Sequence, residues 1–284
     1  MSMKLTVDAC YYLPPAPAQW HQYGPLQTYA AFKLGFHPAV DQYAIMLADR
    51  LAHLLEDRDP GATLLMASPP YADVPSAAAL LARRTAERLA ATSTPHGVEV
   101  VEYRKHARRS DLPRHYAHLT EADRTRYMAQ ERSAWIQHPD ISGRFVVLID
   151  DVRITGTQEV ELVEFVREQG AERIHYQYLF RLASSSSSRA SAVEPTLNKV
   201  GIETDDKFLQ FIADGNFSVT TRFLWRLLEL PQDVFDSAIS LFAPDQCANI
   251  VRGARSEGLP NGEIARKLDA LMACVAHDER LHLQ

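Results

Sequence analysis

The sequence predicts an α/β fold, a parallel sheet with flanking helices, followed by an α-helical C-terminal extension. Three observations carry this. Short apolar runs, ATLLMA at 62–67, VEVVEY at 98–103 and FVVLI at 145–149, are separated by segments of helix length, an alternation that implies parallel pairing through right-handed crossovers. The run at 145–149 is continuously apolar, as in a strand buried on both faces. After the unbroken serines Ser184–Ser188 the apolar spacing turns helical and stays so to the end.

Each element has its own signal. The first forty residues, with Tyr11, Tyr12, Pro14, Pro15, Pro17, Trp20, Tyr23 and Pro25, predict an extended arm of little regular structure. Its aromatics are expected to pack on the main domain. Val40, Ala44, Leu47, Leu51 and Leu54 fall on one helical face, and Pro60-Gly61 ends that helix. The strand at 62–67 runs into Ser68-Pro69-Pro70-Tyr71, which continues neither strand nor helix. A helix is expected over about 75–91 and a strand over 98–103. A basic, irregular stretch follows from Arg104 to Tyr116. Thr120-Glu121-Ala122-Asp123 has the acidic first turn of a helix start. A helix over about 158–169 closes at Gly170, and a last strand spans 173–182. The expected division is a domain over 1–183 with its arm, a Ser-rich linker over 184–200 and a helical extension over 201–284.

Composition narrows the function classes. The chain has 284 residues, 46% apolar and 23% charged, so a sizeable core is expected. A net charge of −6 argues against a general nucleic-acid binder. Cys10, Cys247 and Cys274 are far apart in sequence and odd in number, which supports neither a disulfide framework nor a zinc site and points to a reducing cytoplasm. No signal-peptide pattern opens the chain, and no run approaches the roughly 20 apolar residues of a membrane span. A soluble, cytoplasmic protein is expected.

One segment carries chemistry: Phe145-Val-Val-Leu-Ile-Asp150-Asp151-Val-Arg-Ile154-Thr155-Gly156-Thr157-Gln158. An apolar strand ends in two carboxylates, then a Thr-Gly loop opens a helix. Ligands of open α/β sheets bind at the carboxyl ends of strands. Loop and helix-start N–H groups make an anion site suited to phosphate, and Gly156 lets the backbone come close. The paired acids cannot bind that phosphate, but they can accept hydrogen bonds from two ribose hydroxyls. Tyr29, Phe32 and Lys33 have two readings, lining a base or substrate pocket and packing the arm on the core, the second preferred. His175, Tyr176 and Tyr178 are read mostly as packing residues.

This segment resembles the signature of the type I phosphoribosyltransferases, which bind 5-phosphoribosyl-1-pyrophosphate (PRPP) there. The overall layout most resembles the ComF-like branch, including its tellurium-resistance or stress-cluster forms. By that resemblance Asp150 and Asp151 hold the ribose 2′- and 3′-hydroxyls, and Ile154, Thr155, Gly156, Thr157 and Gln158 wrap the 5′-phosphate. Two positions depart from the family pattern. Ile154 replaces the first of two usual threonines, and Gln158 replaces the final one, with Thr157 one place earlier.

The resemblance extends to a pyrophosphate loop at Ser68, Pro69, Pro70 and Tyr71. It also implies a hood over the reaction, built from the stretch with Arg104, Lys105, His106, Arg108, Arg109, Arg114 and His115. Lys105, Arg108 and Arg109 would stabilise the leaving pyrophosphate catalytically, beside Asp150 and Asp151. The implied cofactor is Mg²⁺, carried by PRPP rather than by direct protein ligands. The implied reaction passes the phosphoribosyl group to a nitrogen acceptor that the sequence does not identify, and the motif offers no general base. The alternatives are a non-catalytic PRPP-sensing regulator and an unrelated nucleotide-binding protein. No membrane or nucleic-acid partner is expected, and a homodimer is compatible. Three roles stand open for the helical extension: capping the active site, binding the acceptor or dimerising.

Overall fold

The computed structural model describes residues 4–14, 17–56, 63–92, 97–106, 121–136, 141–182, 190–259 and 262–281. In chain order the strands are β1 (Lys4–Leu13), β2 (Thr63–Ala67), β3 (Gly97–Val101), β4 (Arg104–Lys105), β5 (Trp135–Ile136), β6 (Phe145–Arg153) and β7 (Arg173–Leu182). Five of them form one sheet in the order β1-β7-β6-β2-β3, with every neighbouring pair parallel. β4 and β5 make a separate antiparallel pair.

The helices up to β7 are α1 (Tyr29–Lys33), α2 (His37–Leu51), α3 (His53–Glu56), α4 (Ala77–Thr92), α5 (Glu121–Arg132) and α6 (Thr157–Glu168). From β2 the chain crosses through α4 to β3 at one edge. It then returns to the other side of β2 as β6 and crosses through α6 to β7. The strand order therefore reverses between β2 and β6. The loops leaving their carboxyl ends part there, and a crevice opens.

Side chains alternate across the sheet with period two. Leu64 and Met66 of β2 and Phe145, Val147 and Ile149 of β6 join the core with α1, α2 and α4. Leu65, Ala67, Val146 and Leu148 face the other way. They pack with Ile174, Tyr176 and Tyr178 of β7 and with Tyr127, Met128, Leu162 and Val166 of α5 and α6. Both faces are covered, which explains the continuous apolar character of β6.

The remaining helices are α7 (Ala190–Leu197), α8 (Asp205–Asp214), α9 (Thr221–Leu228), α10 (Gln232–Ile239), α11 (Pro244–Ser256) and α12 (Gly262–Leu281). The Thr204 and Thr220 hydroxyls cap α8 and α9, accepting from Lys207 N–H and Phe223 N–H. From α8 onward the helices bury a core of their own around Phe208, Phe223, Phe235, Ile250 and Leu271, and Leu34 and Val74 of the sheet-bearing part belong to it. The seam is hydrogen-bonded as well. Thr220 Oγ1 donates to the Lys33 carbonyl at 2.8 Å, Ser218 N–H to Gly35 O at 3.0 Å and Thr221 N–H to Pro75 O at 3.2 Å.

Several sequence expectations change. The N-terminal segment is not an irregular arm throughout: Lys4–Leu13 is an edge strand paired with β7 from Lys4↔Arg173 to Leu13↔Leu182. Its pairing lies more than 160 residues away in sequence, as the Thr6–His175 hydrogen bond illustrates, so no local pattern announces it. The aromatics after it do pack inward. Trp20 is fully buried and its indole N–H donates to Pro14 O at 2.9 Å. The expected linker over 184–200 contains a helix, α7, whose Val193 and Leu197 enter the core beside Trp20 and Leu26. The serines 184–188 lie outside the described residues. β6 continues past Ile149 to Arg153, which places both acids within the strand.

Burial, with the neighbouring Cys274 thiol adding to it, pushes the Cys247 thiol up to about 12. Among the described residues no helix is long and apolar enough to cross a membrane.

Candidate functional site

A cavity of about 280 Å³ occupies the crevice between the ends of β2 and β6. Its wall includes Asp150 through Glu159, Pro69 to Tyr71, Lys105 and Lys33. Of the residues singled out in the sequence, Asp150, Asp151, Ile154, Thr155, Gly156, Thr157, Gln158, Pro69, Pro70, Tyr71 and Lys105 thus meet at one place. Ser68 does not line it. That residue is buried, with its hydroxyl on the Pro69 carbonyl. Arg108, Arg109, Arg114 and His115 lie outside the described residues.

The two acids are neighbours on a strand, so their side chains project to opposite faces. Asp150 lies on the α6 side, where Tyr176 Oη donates to its Oδ2 at 3.2 Å. Asp151 lies on the α1 side, where Tyr29 Oη donates to its Oδ2 at 2.8 Å and Lys33 Nζ donates to the same oxygen. Both carboxyls are buried, and the opposite surroundings separate their acidities. Burial and then the neighbouring Asp151 charge push Asp150 well above the usual carboxylate range. Burial would raise Asp151 too, but the Lys33 ammonium and the hydrogen bonds from Lys33 and Tyr29 hold it below that range. The surroundings thus draw the two carboxyls apart, Asp151 downward toward ionisation and Asp150 upward.

The loop after β6 reverses at Gly156, whose φ of +82° lies in the left-handed region. Gly156 is the residue before the twelve-residue helix α6, so the first N–H groups of that helix open onto the cavity rim. Thr155 and Thr157 hydroxyls lie 3.0 Å apart. The Ile154 side chain is buried in the core that the sheet shares with α1, α2 and α4, so it turns its backbone rather than its side chain to the cavity. Arg153 and Glu159 bracket the loop, with Arg153 Nε donating to Glu159 Oε2 at 2.7 Å. Tyr178 Oη donates to the same carboxylate at 3.1 Å. The Arg153 guanidinium lies against Gly156: a Cβ there would sit 2.8 Å from its Nη2.

The opposite wall is the loop after β2. Tyr71 N–H donates to Tyr103 O and Lys105 N–H to Tyr71 O, which fixes the loop to the chain entering β4. Arg104 stacks 4.3 Å from the Tyr71 ring centre and donates to Ala72 O at 2.9 Å, so it clasps the loop. Lys105 Nζ donates to Glu131 Oε2 at 2.9 Å in a largely buried pair. Its charge in the free protein is thus shared with a carboxylate that the sequence reading did not include.

Sequence reasoning missed several of these side chains. Lys33 and Tyr29, read mainly as packing residues, hold Asp151. Tyr176 and Tyr178, also read as packing, do pack, with rings stacked 4.6 Å apart, but their hydroxyls also serve Asp150 and Glu159. Arg153 and Glu159 had a faint signal, a basic and an acidic residue either side of the predicted loop. Glu131 and Glu257, which also line the cavity, had none.

The fold and site define a parallel α/β protein with a glycine-turned loop and an acid pair at the switch point of its sheet. Residues 20–254 match the family described as PRTase ComF-like, and the chain belongs to that family. No curated protein matches it. Similar solved structures include a hypoxanthine phosphoribosyltransferase from Staphylococcus aureus, at 10% identity and a TM-score of 0.32, covering 50% of this chain and 62% of that one. A purine phosphoribosyltransferase from Pyrococcus horikoshii matches at 19% identity and a TM-score of 0.29, covering 51% of this chain and 83% of that one. The protein TT1426 from Thermus thermophilus matches at 16% and 0.30, covering 56% and 96%. The chain thus spans less than two thirds of the staphylococcal enzyme it matches.

Proposed function

We propose that the protein is a phosphoribosyltransferase that binds PRPP in this cavity, passes its phosphoribosyl group to a nitrogen acceptor and releases pyrophosphate. The observation that carries the reading is the end of β6. Two buried acids, a left-handed glycine and a helix start succeed one another along a single wall of the crevice. The N–H groups from Thr155 to the head of α6 receive the 5′-phosphate, and the Thr155 and Thr157 hydroxyls add donors. Asp150 and Asp151 face the ribose hydroxyls. The 69–71 loop lies where the pyrophosphate leaves. The implied Mg²⁺ would come in on PRPP, without direct protein ligands, and neutralise the diphosphate charge. Positioning and charge stabilisation supply the rate, since no covalent step is asked of the chain.

A second reading, a PRPP-sensing protein without turnover, has its own observation. Lys33 occupies Asp151 in the free protein, and Ile154 offers the phosphate no side-chain donor. One experiment serves both. PRPP with Mg²⁺ is titrated calorimetrically, then pyrophosphate release is followed with nucleobases and small amines. Binding with release supports the transferase, and binding with no release across the panel supports the sensor. Absence of PRPP binding overturns both.

A further inference from the structure

The helical extension contributes two residues to the cavity wall, Thr221 and Glu257. Glu257 is 2% exposed, and its Oε2 is buried with no hydrogen-bond partner. A buried carboxyl oxygen left unpaired is costly, so such groups nearly always have a partner. Glu257 also follows the last residue of α11, with its N–H bonded to Gly253 O at 3.0 Å. The carbonyl end of a helix carries partial negative charge, which favours cations there and disfavours a carboxylate. Packing nonetheless fixes the residue in place. α11 approaches the loop after β2 so closely that a Cβ on Gly253 would lie 2.1 Å from Val74 Cγ2. Thr221 ties α9 to the same loop, its Oγ1 donating to Val74 O at 3.3 Å.

A rigid, orphaned acceptor in a ligand cavity specifies the chemistry of what completes it. Phosphate and pyrophosphate bring only acceptor oxygens and negative charge, so neither can complete Glu257. A group bearing N–H donors fits. Tyr71, Tyr127 and Trp135 line the same cavity, which suits a flat ring. We propose that Glu257 is the acceptor-recognition residue of this site, its carboxyl accepting an N–H hydrogen bond from a flat nitrogen heterocycle or aromatic amine. The inference rests on the transferase reading and assigns the helical extension a share in choosing the acceptor. It also goes beyond that reading, since the acids and loop of β6 say nothing about the acceptor.

The test compares wild type with Glu257→Gln, using 2-aminobenzimidazole as a flat N–H donor probe, PRPP with Mg²⁺ as the second ligand, and thermal unfolding. The wild type should bind the probe, and the variant should lose at least about tenfold in probe affinity, since an amide is a weaker acceptor than a carboxyl and brings N–H donors of its own. PRPP affinity should not change. The ligand-free variant should melt at the same or a higher temperature, because an unpaired carboxyl has been replaced. A wild type that does not bind the probe overturns the proposal, as does unchanged probe affinity in the variant. A melting temperature several degrees lower would show Glu257 to be structurally paired and would also overturn it. If PRPP fails to bind either protein while the probe discriminates between them, the transferase reading fails and the N–H subsite stands.

Discussion

Lys33, at the end of α1, pairs with Asp151, near the end of β6, across 118 residues of sequence. The contact joins the segment read as an arm to the centre of the candidate site. It draws the acidities of two adjacent acids apart. It also lies on the seam with the helical part, because Thr220 Oγ1 donates to the Lys33 carbonyl.

Removing the cation should be costly. Lys33→Ala leaves the Asp151 carboxylate, 6% exposed, without its counter-charge. A loss of about 3 kcal/mol is expected, as for a broken buried ion pair. Lys33→Met with Asp151→Asn should recover most of it, because no isolated charge remains. Urea denaturation of the two variants checks this, and equal losses in the single and the double variant would refute the pairing.

Asp150→Asn and Asp151→Asn should move stability in opposite directions near pH 8. The first replaces a carboxyl raised by burial and should stabilise, while the second breaks the buried Lys33–Asp151 pair and should destabilise by about 3 kcal/mol. The pH profiles follow from the signs. Asp151 lies below its ordinary value when folded. Its contribution is full above the unfolded-chain value of about 4 and is lost as pH falls through the folded value. Asp150 lies above its ordinary value, so the fold holds a proton that the unfolded chain gives up. Its contribution therefore weakens as pH rises from about 4 toward the raised folded value. Both variants should weaken PRPP binding about tenfold or more.

Gly156→Ala should damage both fold and phosphate binding. The left-handed φ alone costs an L-residue about 1–2 kcal/mol, and the new methyl meets the Arg153 guanidinium. Arg153→Ala in the same chain relieves the contact but not the backbone strain, so it should restore only part of the stability. Melting temperature and calorimetric titration with ribose 5-phosphate provide the measurement. Full binding in the single variant would place the phosphate elsewhere.

Lys105, Arg108 and Arg109 carry the hood reading. Replacing all three by Ala should lower turnover more than PRPP affinity, because charge developing on the leaving pyrophosphate is stabilised more than ground-state charge. Lys105→Ala alone should also cost about 3 kcal/mol of stability, since Glu131 loses its cation in a buried pair. Turnover of the triple variant at the wild-type level would reject the hood.

Local patterns in the sequence determined much of this molecule. Continuous apolar residues mark β2 and β6 because those strands are covered on both faces. Helical spacing marks α2, α4, α6 and the helices after Ile202, and the Asp-Asp to Thr-Gly order marks the loop, since strand, turn and helix start are adjacent in the chain. Tertiary structure decided everything that depends on distant partners. β1 finds β7 only when the sheet forms. Asp150 and Asp151 look equivalent on paper, but the pleat turns one toward Tyr176 and the other toward Lys33, and burial then amplifies the difference between those surroundings. Glu257 carries no sequence signal at all. Its place in the cavity follows from α11 packing against Val74, a contact between segments almost 180 residues apart whose register is set by the side-chain-free face of Gly253.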